Sequence, residues 1–541
     1  KEARRRGGTT EGITVLEALS ASGLRAIRYW KEITGLRYVI ANDLDPDAVE
    51  CIRRNAAYNG VPVFEPTLHA NLSDEAKAAG GGLIPNCDNA IYLMQRLAVD
   101  PLPLKGSRMA LIPPEASDSA AAARPLLQQE LVDVVDLDPY GTASPFLDSA
   151  FAAIKEGGLM LVTSTDSPIL CGNYPDTCHA KYNSIMMKPA ACHEVAVRIL
   201  LAAAERAANK YKKYIVPLIS LHIDFYVRVF FRVYTQAAES KLAVGKLAHV
   251  AQCTRCPSFW LSPIGRVRPA RKEVAKTKHD KRARGSDTNG IGDGGEASVP
   301  AEIHTLPTAS FPQPPSRDKP FRSSCPTIES WLPDAHNHCP VCGGHISLGG
   351  PIYAAPTQNA EFLETLLQVV DERHSEGRLT ATDRVKGLIL AARDELPDAP
   401  LFYALPDIAS FVKSRCPPTP IFVGALARLG YRFSQVHCHR SGIKTNCPPD
   451  VLIRAMLAFK TQPQEEVASD ETSKADQDSK TVVLASMVPM EGLVFEYDKQ
   501  YDFRSAVTGV VKFVPNAPGW GPKRRHQGIA RDDETVEAEQ Q

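Results

Sequence analysis

Short apolar runs alternate with helical patterns along residues 12–234, and this alternation constrains the fold more than any other feature of the sequence. The runs have the length of buried strands, and the stretches between them carry apolar residues at helical spacing. Strands that alternate with helices form a mostly parallel sheet, so the sequence predicts an α/β fold. The predicted strands are 13–18, 38–42, 132–137, 159–163 and 225–234, and the predicted helices include 23–33, 46–58 and 191–211.

The chain is longer than one ordinary hydrophobic core. Its 541 residues predict two domains joined by linkers. One stretch is basic at its start and then rich in Gly, Ser and Pro, which is typical of a disordered linker. The predicted divisions are 1–240 for the first domain, 241–460 and 482–530 for a C-terminal domain, 266–320 for the linker, 461–481 for a disordered insert and 531–541 for a disordered acidic tail.

A turn of small residues follows the first predicted strand, which carries Glu17 near its end. The small residues Ala18, Ser20, Ala21, Ser22 and Gly23 allow the backbone to approach a ligand closely. The second predicted strand ends near Asp43, whose carboxylate can accept hydrogen bonds from the two hydroxyls of an adenosyl ribose. We therefore predict that Glu17 and Asp43 bind an adenosyl cofactor. Because the turn has one glycine rather than three, an ordinary strand–helix–strand unit with an N-capping Asp is an open alternative.

The segment VDVVDLDPYG brings two acids to the end of a strand, where ligands bind in open α/β sheets. Methyltransferases that act on exocyclic amines of bases share its order of acid, proline and aromatic residue. Such an amine is a poor nucleophile, and a carboxylate that accepts its N–H aims the lone pair at the methyl donor. A stacked aromatic ring adds about 1–3 kcal/mol. We predict Asp138, Pro139 and Tyr140 as the catalytic group; the alternative is a solvated Pro-Gly turn.

Two CxxC pairs, Cys253 with Cys256 and Cys339 with Cys342, predict a structural zinc site. Four thiolates close a tetrahedral shell around Zn²⁺. The segment between the pairs contains the predicted linker, so the pairs can be close in space. Unrelated buried thiols are the alternative. Weaker candidates for single ligand positions are Cys325, His336, His338 and His345.

Net charge and composition exclude few classes of function. The chain has 62 Lys and Arg and 62 Asp and Glu, so its net charge does not indicate a nucleic-acid partner. No apolar run approaches the length that spans a bilayer, and no signal peptide opens the chain. The 13 cysteines are an odd number and mostly lie singly, which predicts reduced thiols in an intracellular compartment. Basic runs at 4–6, 210–213, 266–284 and 523–525 can follow phosphates, but such runs are usually solvated faces, and the linker run equally fits a nuclear-import signal.

Longer stretches resemble the tRNA (guanine-26-N2)-dimethyltransferase family over nearly the whole chain. They include LEALSASGLRAIRY, ANDLDPDAVE, DLDPYGTASPFLDSA, TSTDSPILCGNYP, ALARLGYRFSQVHCHRSGIKTNCPPDVL and NAPGWGPKRR. The resemblance implies a class I, Rossmann-like methyltransferase domain and a C-terminal α/β domain that contains zinc and helps to grip tRNA. The implied reaction is methyl transfer from S-adenosylmethionine to N2 of guanine 26, in two successive steps.

The resemblance also implies cofactor contacts. Arg25 would contact the carboxylate of the cofactor and Asp43 its ribose. Asp88 and Asn89, in the segment NCDNA, would flank the adenine, although the family more often has the order GDAN there. For Arg25 and Asp88, a solvated charge on a helix or loop is the alternative.

For the RNA, the resemblance implies that Asp138 orients the guanine amine while Pro139 and Tyr140 shape the base pocket. The two CxxC pairs are similar to the family's zinc site. Lys444 and Thr445, in a motif that resembles the family's GIKT, would contact tRNA, with structural packing as the alternative.

One departure bears on activity. Family members begin with a segment resembling FYNPxQxxNRDLS, which adds an arginine to the cofactor site, and nothing similar precedes Gly12. We expect that an N-terminal segment is missing and that this chain can be inactive as given. Two other functions stay open: a tRNA-binding protein without catalysis, and an amine methyltransferase for another base or a protein glutamine. We expect tRNA as the partner, no membrane, no obligate protein partner, and a nuclear or mitochondrial location.

Overall fold

The computed structural model describes residues 12–65, 80–98, 131–269, 321–324, 338–462 and 487–514. The first part of the chain forms a seven-stranded sheet in the order β3-β2-β1-β4-β5-β7-β6. The first five strands in this order are parallel, and β7 is antiparallel to both of its neighbours. The strands are β1 Ile13–Glu17, β2 Leu36–Asp43, β3 Gly82–Cys87, β4 Val132–Leu137, β5 Ile154–Ser164, β6 Lys213–Ile223 and β7 Tyr226–Thr235. The predicted α/β fold with a mostly parallel sheet is confirmed.

Helices cover both faces of this sheet. Successive residues on β1 point to opposite faces: Val15 packs in a cluster with Ile27 and Ile52, and Leu16 packs in another with Phe151. The strand order reverses its direction between β1 and β4, so a crevice opens at the carboxyl ends of these two strands. The helices are α1 Leu24–Glu32, α2 Pro46–Tyr58, α3 Ala90–Ala98, α4 Leu147–Ala153, α5 Ser167–Leu170, α6 Pro175–Tyr182 and α7 Cys192–Lys210.

Local sequence explains where the elements near the crevice begin. The carboxylate of Asp45 accepts a hydrogen bond from the backbone N–H of Asp47, and Pro46 occupies the first turn, so α2 begins there. β6 and β7 form a hairpin whose turn contains Asp224 at φ +51°. A short hairpin connects antiparallel strands only, which explains why β7 runs against the rest of the sheet.

The second part of the chain contains small antiparallel sheets flanked by helices. β12 pairs with β8, which pairs with β9, and β15 lies between β13 and β14. The strands are β8 Leu247–Cys253, β9 Phe259–Pro263, β10 Arg266–Pro269, β11 Phe321–Ser324, β12 Ile346–Tyr353, β13 Tyr403–Ala404, β14 Phe433–Val436 and β15 His439–Thr445. The helices are α8 Ala237–Lys241, α9 Ala360–Ser375, α10 Thr382–Arg393, α11 Leu405–Phe411, α12 Thr419–Ala427, α13 Pro449–Lys460 and α14 Ser505–Thr508.

One hydrophobic cluster extends from the first part of the molecule into the second. Val250, Ile352 and Phe402 of the second part belong to the same buried cluster as Leu16 and Phe231 of the first. Packing therefore continues across the predicted division near residue 240. The side chain of Arg198 on α7, 1% exposed, reinforces it by donating to the carbonyls of Tyr353 at 2.7 Å and Ala355 at 3.1 Å.

One predicted boundary needs correction. Residues Arg266–Pro269 lie within the predicted linker but form β10, which pairs with β11 at the other end of that linker. The rest of the predicted linker, the acidic tail, nearly all of the predicted insert and the 4–6 and 523–525 basic runs lie outside the described residues. Within the described ranges, no helix has the length and apolar character that crossing a bilayer requires.

Candidate active site and metal centre

The turn between β1 and α1 forms one wall of the crevice. The backbone N–H of Ser20 donates to the carbonyl of Asn42 at 2.7 Å, and the Ser20 hydroxyl donates to the carbonyl of Glu17 at 3.0 Å. Gly23 has φ +74°, and a Cβ there would lie 3.0 Å from the side chain of Ile52. Glycine thus meets both the backbone conformation and the close packing of α1 on α2. The turn therefore presents backbone to the crevice.

Asp43 ends β2 beside this turn. Its Oδ2 accepts from the N–H of Ala21 at 2.8 Å, and its Oδ1 accepts from the N–H of Asp45 at 3.1 Å. Ala21 has φ +47°, so the turn bends sharply where it meets the carboxylate. A carboxylate has about four lone-pair positions, and two remain for the hydroxyls of a ribose. This placement agrees with the predicted ribose contact, which stays a prediction.

Asp88 and Asn89 follow β3, next to Asp43. The N–H of Asp88 donates to the carbonyl of Asp43 at 2.9 Å, and the Asp88 carboxylate is paired with Arg96. The side chain of Asn89 accepts from the N–H of Ile91 at 2.9 Å, as an N-capping residue of α3 does. Both residues have a structural role in this position, and the predicted adenine contacts stay predictions.

Arg25 connects the predicted cofactor residues to the predicted catalytic residue. Its Nε donates to Oε1 of Glu17 at 2.9 Å, and its Nη1 is paired with the carboxylate of Asp138. Glu17 is 1% exposed and also accepts from the N–H of Ala26 at 3.0 Å. Burial raises the pKa of Glu17 to about 7, although Arg25 opposes this. Asp138 keeps a side-chain exposure of 32%, so its carboxylate faces the crevice as well as Arg25.

Asp136, two residues before Asp138, is turned into the protein and is fully buried. It accepts from the hydroxyl of Tyr29 at 2.6 Å, and Nη2 of Arg228 lies 3.2 Å from its Oδ1. Sequence reasoning missed Tyr29 and Arg228, because Arg228 reaches Asp136 across β5 from β7, a contact that depends on the strand order. The available signal was an arginine inside the apolar run of β7.

The loop after β4 holds Pro139 and Tyr140. The hydroxyl of Tyr182 accepts from Thr142 at 2.7 Å and donates to the buried carboxylate of Asp166 at 2.9 Å, which ties the loop to the segment after β5. The side chain of Tyr140 is fully exposed, at 101% of its reference area. A ring held on an anchored loop beside Asp138 is available for stacking on a planar base.

The four predicted zinc ligands come together. Sγ of Cys253 lies 3.4 Å from Sγ of Cys342, and Sγ of Cys256 lies 3.6 Å from Sγ of Cys339. All four Sγ atoms lie within 4.8 Å of one another and are buried. Zn–S bonds of 2.3 Å at tetrahedral angles require S···S distances of about 3.8 Å, so the cluster fits a zinc ion.

The pairing of β8 with β12 explains this proximity, because Cys253 lies opposite Ile346, just after the second pair. Gly344 packs against the cluster, where a Cβ would lie 3.2 Å from Sγ of Cys253. The rings of His338 and His345 lie 5.1 Å apart, and neither residue is part of the four-sulfur group. Cys325 and His336 lie outside the described residues.

Lys444 and Thr445 lie in the interior rather than on a surface. Lys444 is 2% exposed, and its Nζ lies 2.8 Å from a carboxylate oxygen of Glu194 and 3.0 Å from one of Glu395. Burial opposes the charge, but the two carboxylates raise the pKa of Lys444. Thr445 accepts from the N–H of Cys447 at 2.9 Å. A direct contact of Lys444 with tRNA stays a prediction, and this conformation favours the packing alternative.

Comparison with known proteins identifies relatives over most of the chain. The family model described as N2,N2-dimethylguanosine tRNA methyltransferase matches residues 2–79 and 111–457. The tRNA (guanine(26)-N(2))-dimethyltransferase of Drosophila melanogaster is 32% identical over 95% of this chain and 72% of its own length. The mitochondrial enzyme of that name from Saccharomyces cerevisiae is 33% identical over 95% of this chain and 76% of its own.

A solved structure is similar in fold. It is the complex of Trm1 from Pyrococcus horikoshii with S-adenosyl-L-methionine, with a TM-score of 0.55 and 22% sequence identity. The similarity covers 82% of this chain and 88% of the archaeal one, so both parts of the molecule take part in it.

Proposed function

Because the chain belongs to the N2,N2-dimethylguanosine tRNA methyltransferase family, we propose that it methylates tRNA at the exocyclic N2 of guanine 26. The methyl donor is S-adenosyl-L-methionine, and two successive transfers give N2,N2-dimethylguanosine. The observation that carries this proposal is the position of Asp138, Pro139 and Tyr140 at the carboxyl end of β4, beside the turn at 18–23 and in contact with Arg25.

The crevice supports cofactor binding through groups that are already fixed. Asp43 is held by two backbone N–H groups and would accept hydrogen bonds from the ribose hydroxyls, while Asp88 and Asn89 would border the adenine. Arg25 would bind the carboxylate of the cofactor, and Glu17, buried beneath it, holds the guanidinium in place. Bound S-adenosyl-L-methionine supplies an electrophilic methyl group on its sulfonium.

For the base, Asp138 accepts an N–H of the guanine amine, which directs the nitrogen lone pair towards the methyl donor. Tyr140 stacks on the purine, and Pro139 fixes the loop between these two residues. Arg25 is paired with the Asp138 carboxylate, and this pairing would hold the carboxylate at the crevice, where it would meet the guanine amine. Positioning and electrostatics then supply most of the rate acceleration.

The surface for tRNA lies where the second part of the molecule meets the segment between α6 and α7 of the first part. A cavity of about 570 Å³ lies between the four-cysteine cluster and α11, and its walls include Lys188, Arg255 and Lys413. Three cationic side chains around one opening fit the phosphates of a bent RNA backbone.

We assign zinc to the four-cysteine cluster. We also assign the protein a nuclear or mitochondrial location, since the yeast relative is named a mitochondrial enzyme.

The test is methyl transfer from radiolabelled S-adenosyl-L-methionine to one tRNA transcript with guanine at position 26 and to a matched transcript with adenine there. We expect label only in the first, as dimethylguanosine after nuclease digestion. Equal labelling of both transcripts would refute the guanine-N2 assignment. Binding of the transcript without any labelling would favour a tRNA-binding protein without catalysis, and labelling of DNA or protein glutamine would favour the other amine methyltransferases.

A further inference from the structure

A second group of side chains that can bind a metal lies near the segment that follows β5 and is separate from the four-cysteine cluster. Cys171 follows α5, His193 lies in the first turn of α7, and His222 lies on β6. Their ligand atoms all lie within 4.8 Å of one another. Cys171 and His222 are 7% and 5% exposed, and His193 is half-buried. Three separate elements thus bring one thiol and two imidazoles to a single interior point.

The two imidazoles are oriented by neighbouring groups. Their rings stack with centroids 4.3 Å apart. Nδ1 of His193 lies 3.3 Å from the carbonyl oxygen of Cys438, and Nε2 of His222 lies 2.9 Å from the hydroxyl of Ser167. A partner on one ring nitrogen orients the ring and leaves the other nitrogen for a metal, which is the usual arrangement around metal-bound histidines. This arrangement makes Nε2 of His193 and Nδ1 of His222 the candidate ligand atoms.

We propose that Cys171, His193 and His222 bind a second zinc ion. One thiolate and two neutral imidazoles suit this borderline-soft cation, and four-coordinate zinc is commonly held by such mixed ligands. The thiol of Cys192 interacts with that of Cys171, but Cys192 is not part of the group whose ligand atoms are all close together. Tetrahedral zinc requires S···N distances of about 3.5 Å, so binding needs side-chain shifts of up to about 1 Å.

The position of the site gives the ion a structural role. Ser167, the partner of His222, follows directly after Asp166, whose carboxylate accepts from Tyr182 and so anchors the loop with Tyr140. An ion on Cys171, His193 and His222 joins this segment to α7 and β6. The ion would thereby help to hold in place the loop that carries Tyr140.

The first experiment needs no variant. Zinc content of the purified protein by plasma mass spectrometry should be about two per chain, and zinc X-ray absorption should show imidazole scattering in addition to sulfur. A four-cysteine site alone contributes sulfur only. One zinc per chain, or a sulfur-only spectrum at any zinc content, would overturn the proposal.

Variants then locate the imidazole site. Cys171→Ser and His193→Gln should each lower zinc to about one per chain and remove the imidazole scattering, while Cys178→Ser, at another buried cysteine in the neighbouring α6, should keep two. His193 is half-buried, so His193→Gln is the variant expected to fold if Cys171→Ser does not. Two zinc ions retained in a folded His193→Gln protein, or a Cys171–Cys192 disulfide found by mass spectrometry of the unreduced protein, would contradict the assignment.

Discussion

Arg25 contacts both a predicted cofactor-binding residue and the predicted catalytic carboxylate. Its guanidinium lies between Glu17, which is buried, and Asp138, which faces the crevice. Burial opposes the charge of Arg25, but Asp136, Asp138 and Glu17 together raise its pKa. An always-charged guanidinium between carboxylates orients the carboxylate of Asp138, which accepts the amine N–H in the proposed reaction.

Asp43 is expected to carry affinity for the cofactor. Asp43→Ala removes the carboxylate that meets the ribose, so calorimetry should show S-adenosyl-L-methionine binding weakened more than tenfold, or about 1.4 kcal/mol. Asp47→Ala, at an exposed acid in the first turn of α2, is the matched control and should bind as the wild type does. Unchanged affinity in Asp43→Ala would remove this residue from the cofactor site.

Asp138 is expected to carry turnover rather than tRNA affinity. Its interaction with the amine strengthens as the nitrogen becomes tetrahedral, so its loss lowers kcat with little effect on binding. Asp138→Asn should cost at least ~10²-fold in methyl transfer, while tRNA affinity by filter binding stays within a few-fold because phosphate contacts dominate it. Asp148→Asn, on the surface of α4, is the control. Full activity in Asp138→Asn would place the chemistry at another carboxylate, with Asp136 and Asp166 as the next candidates.

At the residue scale, the sequence predicted the type of side chain better than its surroundings. Asp43 and Asp138 were assigned from their positions at strand ends, and the parallel sheet places them there. The contact of Arg228 with Asp136 requires β7 to lie beside β5, and the contact of Tyr29 requires α1 to pack against β4, so the sequence pattern predicted neither. Lys444 shows the same limit, since the GIKT-like motif does not indicate that its ammonium is buried between two carboxylates.

At the scale of strands and helices, strand pairing explains why the two CxxC pairs lie close together although they are far apart in the sequence. β8 and β12 pair directly, and β10 pairs with β11 at the ends of the predicted linker. Periodicity predicted β1, β2, β4, β5 and β7, most within two residues of their bounds. β3 and β6 were missed, because β3 opens with glycine and contains Pro85, and β6 contains Pro217 beside a register shift. Proline inside a run argues against a strand unless a bulge accommodates it.

The four-cysteine cluster is expected to hold one zinc ion that stabilises β8 and β12. Cys339→Ser removes a ligand, so it should release about one zinc per chain and lower the thermal transition temperature. Cys416→Ser, at an exposed cysteine, is the control and should leave both unchanged. A folded Cys339→Ser protein with its full zinc content would contradict the assignment of this ligand.

At the scale of the whole molecule, the two parts are joined by packing and by a buried ionic network. Glu194 on α7 accepts from Arg198 at 2.8 Å, from the N–H of Leu401 at 3.0 Å and from Lys444 at 2.8 Å. Glu395 accepts from the ring of His437 at 2.6 Å. The network connects α7 of the first part with β15 and the segment after α10 of the second. The predicted division near residue 240 therefore separates elements that share one interior.

This network allows a test that separates packing from RNA contact at Lys444. Burial raises the pKa of Glu194 and of Glu395, but the ammonium of Lys444 lowers both. The net result is a lowered pKa for each carboxyl group. Such carboxylates add stability above their unfolded pKa of about 4.3, and this stability is lost as pH falls towards the folded values. The wild-type protein should lose stability below about pH 4.3, and a variant without Lys444 should show less of this dependence.

Lys444→Met should lower the free energy of unfolding at pH 7 by about 3–5 kcal/mol, because it leaves two buried carboxylates without their shared cation. Urea denaturation followed by tryptophan fluorescence measures this, with Lys413→Met, at an exposed lysine of the cavity, as the matched control. If Lys444 is a packing residue, tRNA affinity of the folded variant stays near that of the wild type. If it is a phosphate contact, stability is unchanged, affinity falls, and the slope of log K against log salt decreases by about 1. For Lys413→Met we expect unchanged stability, a lower tRNA affinity and a smaller salt dependence of binding. The two lysines thus test whether tRNA is bound by the open cavity or by the interior motif.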